Sequence, residues 1–586
     1  MTPGFKIGSA ALILATAAAL CLSFVPSHVM VDDAYISFRY AENLAAGDGL
    51  VYNPGDRIEG YTNFLWVLAL AAARGAGFDI PCASQVFGLL AGLGTLVVTF
   101  GLARSLLPGR HPLLHAAPPL LLALDRSFWF WAMSGMETCI FTLLVTLGVL
   151  LFLGGARRSD VLAATALFVA ALTRPEGVLV FGLALTHRLL FPGGRPRRSV
   201  LLPVGIFAVL LAAYLLWKQW YFGELIPNTF FAKSVGETAL IQRGALYVRN
   251  FVLDHALLAA LFAAALFRPP DGLPRQRVLL LGGIVVVYVA YVAAVGGDIF
   301  YHDRFLMPVL PLLLCVAAAS LGRAADALSG RGKLVQVAAT AALALLSQGT
   351  AVYLEERRYS ELVAADRELN EQRLMIAGFL KSHFPPSTTI ATVAAGIIPY
   401  TTGFPTVDML GLTNREIGRT DVGEASPALL AHQKSSASYV LGKRPEFIDF
   451  GVYNTYVPRE VGSAGWPLDF ATYAGPFYLS GLVYPARRDL VLSEEFHRNY
   501  TFMVYPIGDS SNFTTCRRLP VGAIPEARAI ANLGWAQHTL GYTGEALATL
   551  ERARALAPSD ATVLDRLALV RQQTRPGSLG SGPFPE

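Results

Sequence analysis

Eleven apolar runs constrain this chain more than anything else in it. They fall at 8–28, 83–103, 113–125, 138–155, 161–173, 176–191, 200–217, 251–267, 278–295, 305–322 and 334–352. A membrane-spanning helix needs about 20 mostly apolar residues, and several runs are shorter than that. Composition supports the same reading: 15% of the 586 residues are charged, against roughly a quarter in an ordinary soluble protein. The expected fold is a polytopic α-helical membrane protein of about eleven spans. The run 64–73 is too short to span and contains Trp66, so it reads as a helix lying in the interface. Run 8–28 follows Lys6, and Ala18-Ala19-Leu20-Cys21 faintly resembles a lipoprotein box. Leu20 is bulky where cleavage needs a small residue, so this run is expected to remain as the first span.

Charge placement orients the chain. With Lys6 inside, the inner loops are 104–112, 156–160, 188–199, 268–277 and 323–333, and each carries at least two Arg or Lys. This is the positive-inside pattern. Counting 64–73 as a span would invert every later loop and destroy it. The outer loops then hold 29–82, Asp125–Glu137, Thr173–Gly177, Trp217–Asn250 and Gly296–Arg304, with an extracytoplasmic C-terminal region from 355. The net charge of +5 is scattered over short loops, with no basic face for nucleic acid. The five cysteines have neither disulfide nor metal-ligand spacing.

Residues 1–354 are thus expected to form the membrane domain. Residues 355–526 read as an α/β domain, in which 388–412 alternates strand, short helix or loop, and strand. Ser438–Leu441 and Pro445–Phe450 read as further β-like segments. Residues 527–573 resemble a tetratricopeptide repeat (TPR) helical pair: Leu533, Gly534, Gly541, Tyr542, Ala546, Ala553 and Pro558 match that 34-residue unit, and a capping helix follows. A single repeat cannot build a solenoid, so it packs on the domain or docks a protein partner. The tail 574–586 reads as disordered.

The first outer loop is dense in chemistry: Asp32, Asp33, Arg39, Glu42, Arg57, Glu59, Tyr61 and Thr62. Asp32 and Asp33 read equally as a solvated helix cap or as a general base or divalent-metal site. In GGDIFYHDRF, Asp298, His302, Asp303 and Arg304 sit beside a span. Arg304 is placed for a lipid phosphate, or for an Asp–Arg pair at the interface. Arg174 and Glu176 either pair with each other or line a site. Lys233 is a phosphate contact or an interfacial lysine. Glu137 is expected to cap the helix that follows it, and Asp408 reads as a fold residue.

The segments DDAYISFRYAENLAAGDGLVYNPGDRIEGYTNFLW, SGMET, TRPEG, GGDIFYHDRF and VDMLGLTNREIG resemble, in order from about 30 to 450, the terminal arabinofuranosyltransferase family of the GT-C class. The repeat-like segment lies outside the resemblance. The resemblance implies an inverting membrane glycosyltransferase of the bacterial cytoplasmic membrane. It implies a polyprenyl-phosphate-linked sugar donor, arabinofuranose first, and an envelope glycan or protein acceptor on the extracytoplasmic face. It makes Asp33 or Asp32 the base or the holder of a divalent cation (Mg, Mn or Ca). It makes Arg39, Glu59, Tyr61, Arg174, Glu176, Lys233, Asp298, His302, Asp303 and Arg304 the residues around donor and sugar. Asn414 departs from the family, where Asp is common after the Gly-Leu-Thr. A lipid-linked sugar flippase would bury charges within its spans, and here they crowd on one side. A non-catalytic assembly scaffold leaves the paired carboxylates without a purpose.

Overall fold

The computed structural model describes residues 29–110, 112–192, 196–233, 237–268, 275–327, 333–421, 434–453, 466–468, 485–506 and 512–574. The expected span at 8–28 and the tail from 575 onward lie outside them. The chain divides into two compact units. The first comprises Met1–Arg57, Tyr61–Ile226 and Gly236–Glu368; the second comprises Ile58–Gly60, Pro227–Val235 and Leu369–Glu586.

The first unit is helical. Four stretches among the described residues are long and apolar enough to cross a bilayer: Ile80–Leu106, Arg198–Phe222, Arg275–Ala294 and Arg304–Arg323. Two sharply bent pairs raise that to six when each counts as one, Arg126–Met133 with Thr138–Gly154 (115°) and Leu240–Asp254 with Ala256–Phe267 (92°). The runs expected at 113–125, 161–173 and 176–191 form helices of 12, 17 and 15 residues. Both bends have local causes, as sharp kinks must. The first contains Gly135 at φ 85°; the second falls at His255, which is not helical.

Lipid tails are as apolar as leucine, so close packing and buried polar pairs, not hydrophobic transfer, hold such helices together. Small residues therefore matter at crossings. A Cβ at Gly88 in Ile80–Leu106 would collide with the Ala132 carbonyl. Trp66, Trp129 and Trp131 are fully buried in this unit. Helix Leu201–Phe222 is the opposite case: only 6% of its apolar window is buried. Near its C-terminal end the Tyr221 hydroxyl accepts the Leu50 N–H at 2.8 Å, and the ring lies 4.7 Å from the Arg57 guanidinium.

The second unit carries a six-stranded mixed sheet of order β2-β1-β3-β6-β5-β4. Its strands are β1 Ile390–Thr392, β2 Thr406–Asp408, β3 Phe447–Tyr453, β4 Trp466–Leu468, β5 Tyr500–Pro506 and β6 Asn512–Arg518. β1 pairs parallel with β2 and β3, and the rest is antiparallel. The pattern read at 388–412 is β1, helix Ile397–Thr402 and β2. Ser438–Leu441 is a correction: it lies in helix Ala437–Gly442, because the Ser436 hydroxyl accepts the Tyr439 N–H and caps a helical turn there. Helices Glu526–Thr539, Thr543–Leu556 and Ala561–Gln573 follow. Their Trp535, Leu550 and Leu567 share one core with Ile448 and Cys516 of the sheet.

Candidate active site

The site is built around the start of helix Asp32–Ala46. Asp32 and Asp33 occupy its first turn, half-buried, where the helix dipole favours carboxylates. The N–H of Val31 donates to the Ser134 carbonyl at 3.2 Å. Gly135 packs so closely that a Cβ would lie 2.9 Å from the Ala34 Cβ and 3.0 Å from Phe38. The Trp66 indole donates to the Gly135 carbonyl at 3.1 Å. The Ser-Gly-Met-Glu bend is thus clamped against the turn that carries both aspartates.

From that bend a buried polar network extends. Asn63 donates to Ser37 at 3.0 Å and to Glu137 at 2.9 Å. Glu137 stands at the N-cap position of Thr138–Gly154 but makes no side-chain cap; it pairs with Arg174 at 2.7 Å instead. This corrects the expected capping role. A buried guanidinium is costly unless paired, and Arg174 takes both Glu137 and Glu176, the latter at 3.0 Å. Arg174 also lies 4.8 Å from the Phe305 ring.

Arg304 lies against the same ring at 5.1 Å, and against Phe300 and Trp131. It donates twice to Asp298, at 2.5 and 3.1 Å. Its Nη1 is buried with no hydrogen-bond partner. One N–H edge of a desolvated guanidinium is therefore unused. Next to it, His302 (φ 59°) and Asp303 (φ 46°) are both left-handed, a strained arrangement costing about 1–3 kcal/mol per residue and typical of functional sites. His302 Nδ1 meets the Ser127 hydroxyl at 2.9 Å, and its ring packs on Phe130. A cavity of about 170 Å³ opens there, lined by Arg126, Phe130, His302, Glu356 and Arg367 among others.

Sequence reasoning missed a second polar centre in this unit. Asp125, His255 and Glu355 are all buried, and their ligand atoms lie within 4.8 Å of one another. His255 Nε2 is 3.5 Å from Glu355 and 3.9 Å from Asp125. Asp303 is fully buried with neither carboxylate oxygen hydrogen-bonded. Burial pushes its carboxyl up to about 7 and pushes His302 down to about 4. Burial, with Asp125 nearby, also raises the Glu355 carboxyl. The signal was present: Asp254-His255 interrupts an apolar run, and Glu355 is among the first acids after the last one.

Other expected site residues are placed differently. Arg39 is turned into its own loop, donating to the Tyr52 carbonyl at 2.6 Å and to Asn53 at 3.0 Å. The Tyr61 ring packs against Tyr40 and Phe222. Glu59 and Lys233 belong to the second unit. There the Glu59 carbonyl accepts the Asn228 N–H at 2.9 Å, and Lys233, exposed, ends helix Asn228–Lys233. Asn414 caps helix Arg415–Gly418 by accepting the Ile417 N–H, a role Asp would fill as well. Asp408 locks its own turn by accepting from Leu410 and Thr413.

In sequence, the terminal beta-(1->2)-arabinofuranosyltransferase of Mycobacterium tuberculosis is 29% identical over 327 residues, 49% of this chain and 51% of that protein. The Corynebacterium glutamicum protein of the same name is 27% identical over 338 residues, 49% of this chain and 47% of that one. The chain spans about half the length of these curated relatives. In structure, ArnT from Cupriavidus metallidurans, bound to undecaprenyl phosphate, matches with a TM-score of 0.50 at 15% identity, covering 76% of this chain and 90% of ArnT. The archaeal oligosaccharyltransferase AglB from Archaeoglobus fulgidus, with an inhibitory peptide and a dolichol-phosphate, matches at 0.52 and 12% identity, covering 87% and 74%. The fold is that shared with ArnT and AglB. A family model described as "Domain of unknown function (DUF8728)" matches residues 364–505. Within the first unit, three of the segments that resemble the arabinofuranosyltransferases, the first loop, Ser-Gly-Met-Glu-Thr and Thr-Arg-Pro-Glu-Gly, are joined through Ser37, Asn63, Glu137 and Arg174.

Proposed function

We propose that this protein is an inverting membrane glycosyltransferase. It transfers a sugar, arabinofuranose first, from a polyprenyl-phosphate donor to an envelope glycan or protein acceptor on the extracytoplasmic face of the bacterial cytoplasmic membrane. One observation carries the reading. Residues far apart in sequence, Asp32–Ser37, Asn63, Ser134–Glu137, Arg174–Glu176 and Asp298–Phe305, form one connected arrangement in the first unit. It holds two half-buried carboxylates and a buried guanidinium with an unused N–H edge, the two functions that such a transfer requires.

In this reading Asp33, with Asp32 beside it, takes the proton from the acceptor hydroxyl. The acceptor oxygen forms a bond to the anomeric carbon from the face opposite the departing phosphate. The bond from that carbon to the phosphate oxygen breaks, and its electron pair leaves with the polyprenyl phosphate. Arg304 receives that charge through Nη1, while Asp298 fixes its plane. A phosphate neutralised in this way needs no strong general acid. Asp32 and Asp33 would hold a Mg, Mn or Ca ion, which would supply further charge neutralisation. Lys233 and Glu59, which lie on the second unit, are proposed as substrate-binding residues of that unit. The eleven-span topology belongs to the same proposal, as does the repeat-like helical pair as a docking element.

The test is transfer from synthetic polyprenyl-phosphate arabinofuranose to a panel of glycan and protein acceptors, with wild type, Asp32→Asn and Asp33→Asn at equal membrane levels. Loss of about a hundredfold or more in Asp33→Asn is expected, the scale of a missing general base. Undiminished transfer in both variants rejects the assignment.

A further inference from the structure

We infer that Asp125, His255 and Glu355 bind a divalent metal ion of the zinc or manganese class, at a centre separate from Asp32 and Asp33. The inference does not rest on the glycosyltransferase reading.

The imidazole decides the chemistry. His255 Nδ1 lies 3.1 Å from the Phe251 carbonyl, which can only accept, so Nδ1 carries the proton. Nε2 is then either a bare lone pair or protonated, and it faces two carboxylates. A bare lone pair facing carboxylate lone pairs needs a cation between them. If that cation were a proton, N–H···O contacts of 2.7–3.2 Å would be expected. The separations are 3.5 Å to Glu355 and 3.9 Å to Asp125, and Nε2 has no hydrogen-bond partner. Ligand atoms on one tetrahedral ion, with bonds of about 2.1–2.4 Å, stand roughly 3.4–3.9 Å apart.

Asp303 is the independent observation. It is fully buried and neither oxygen is hydrogen-bonded, and its neighbour His302 shares the Ser127 hydroxyl with Glu355.

The carboxylates are already oriented. Asp125 accepts the Phe128 N–H on Oδ1 at 2.8 Å, while the Gln348 amide reaches Oδ2, the oxygen that faces His255, at 3.2 Å. Glu355 accepts the Ser127 hydroxyl at 2.7 Å. Mixed imidazole and carboxylate donors suit zinc or manganese better than magnesium. The three main ligands come from the cap of Arg126–Met133, the break before Ala256–Phe267, and helix Lys333–His383. An ion there would pin three elements together.

The experiment is elemental analysis of full-length protein purified without chelator, in wild type, Asp32→Asn, Asp33→Asn, His255→Gln and Glu355→Gln. About one zinc or manganese per chain is expected in wild type and both Asn variants, falling at least about tenfold in both Gln variants. Should the Gln variants fail to fold, wild type alone decides. A chelator should lower its melting temperature by several degrees, with restoration by added zinc or manganese but not magnesium. Wild type carrying under about a tenth of an equivalent, with a melting temperature indifferent to chelator and added metal, overturns the inference. So does metal that is lost with Asp32 or Asp33 but kept in His255→Gln.

Discussion

At the scale of residues, the buried Arg304 is the most exacting part. Two of its donors fix it to Asp298 and a third is unused. Lysine keeps the charge but loses the planar fork. In Arg304→Lys, kcat/KM for the lipid donor should fall by about ten- to a hundredfold, with the larger share in KM. Unchanged donor kinetics would remove Arg304 from the phosphate site. Asp298→Asn should cost about 3–5 kcal/mol of stability, because it leaves a buried cation unpaired. His302 gives a pH signature. Burial, opposed by Asp125 and reinforced by Arg126, lowers its folded value from 6.5 to about 4. Between those values the folded chain binds fewer protons than the unfolded one. Its contribution is therefore present above about pH 6.5 and lost as pH falls toward about 4, by roughly 3 kcal/mol at most. Thermal unfolding of His302→Gln should drop less than wild type over that window; parallel curves would mean that His302 is already charged in the fold.

At the scale of elements, the Ser134–Glu137 bend does the positioning. Gly135→Ala places a Cβ at φ 85° against Ala34, Phe38 and Met30. A loss of roughly 2 kcal/mol or more is expected, read as a lower melting temperature together with weaker transfer. This is also where legibility in the sequence changes. Apolar runs located most helices described in the first unit. The alternation at 388–412 located β1 and β2, because both signals are local. Glu137 was misread as a cap because its true partner, Arg174, lies 37 residues away. Ser438–Leu441 was misread because a single cap at Ser436 decides so short a segment. The candidate site was half legible. Asp298 and Arg304 pair within one motif, whereas Asp125, His255 and Glu355 come from three elements and share no spacing that a single sequence displays.

At the scale of the whole molecule, the last three helices complete a core. Trp535, Leu550 and Leu567 pack with the sheet residues Ile448 and Cys516. Removing everything after 525 would strip that face, and truncating a single buried Trp already costs about 3–5 kcal/mol. Limited proteolysis of the shortened protein should cut within 434–518 far faster than in the full chain; equal protection would make these helices a detachable appendage.

Helix Leu201–Phe222 has a consequence of its own. Few of its residues are fully buried, yet Tyr221 at its end holds Leu50 and Arg57 of the loop that follows the two aspartates. A helix solvated by acyl chains sets its tilt by their length. The thickness of the surrounding bilayer thereby becomes a mechanical input to the loop that follows the two aspartates, and the lipid acts as a tuning part as well as a solvent.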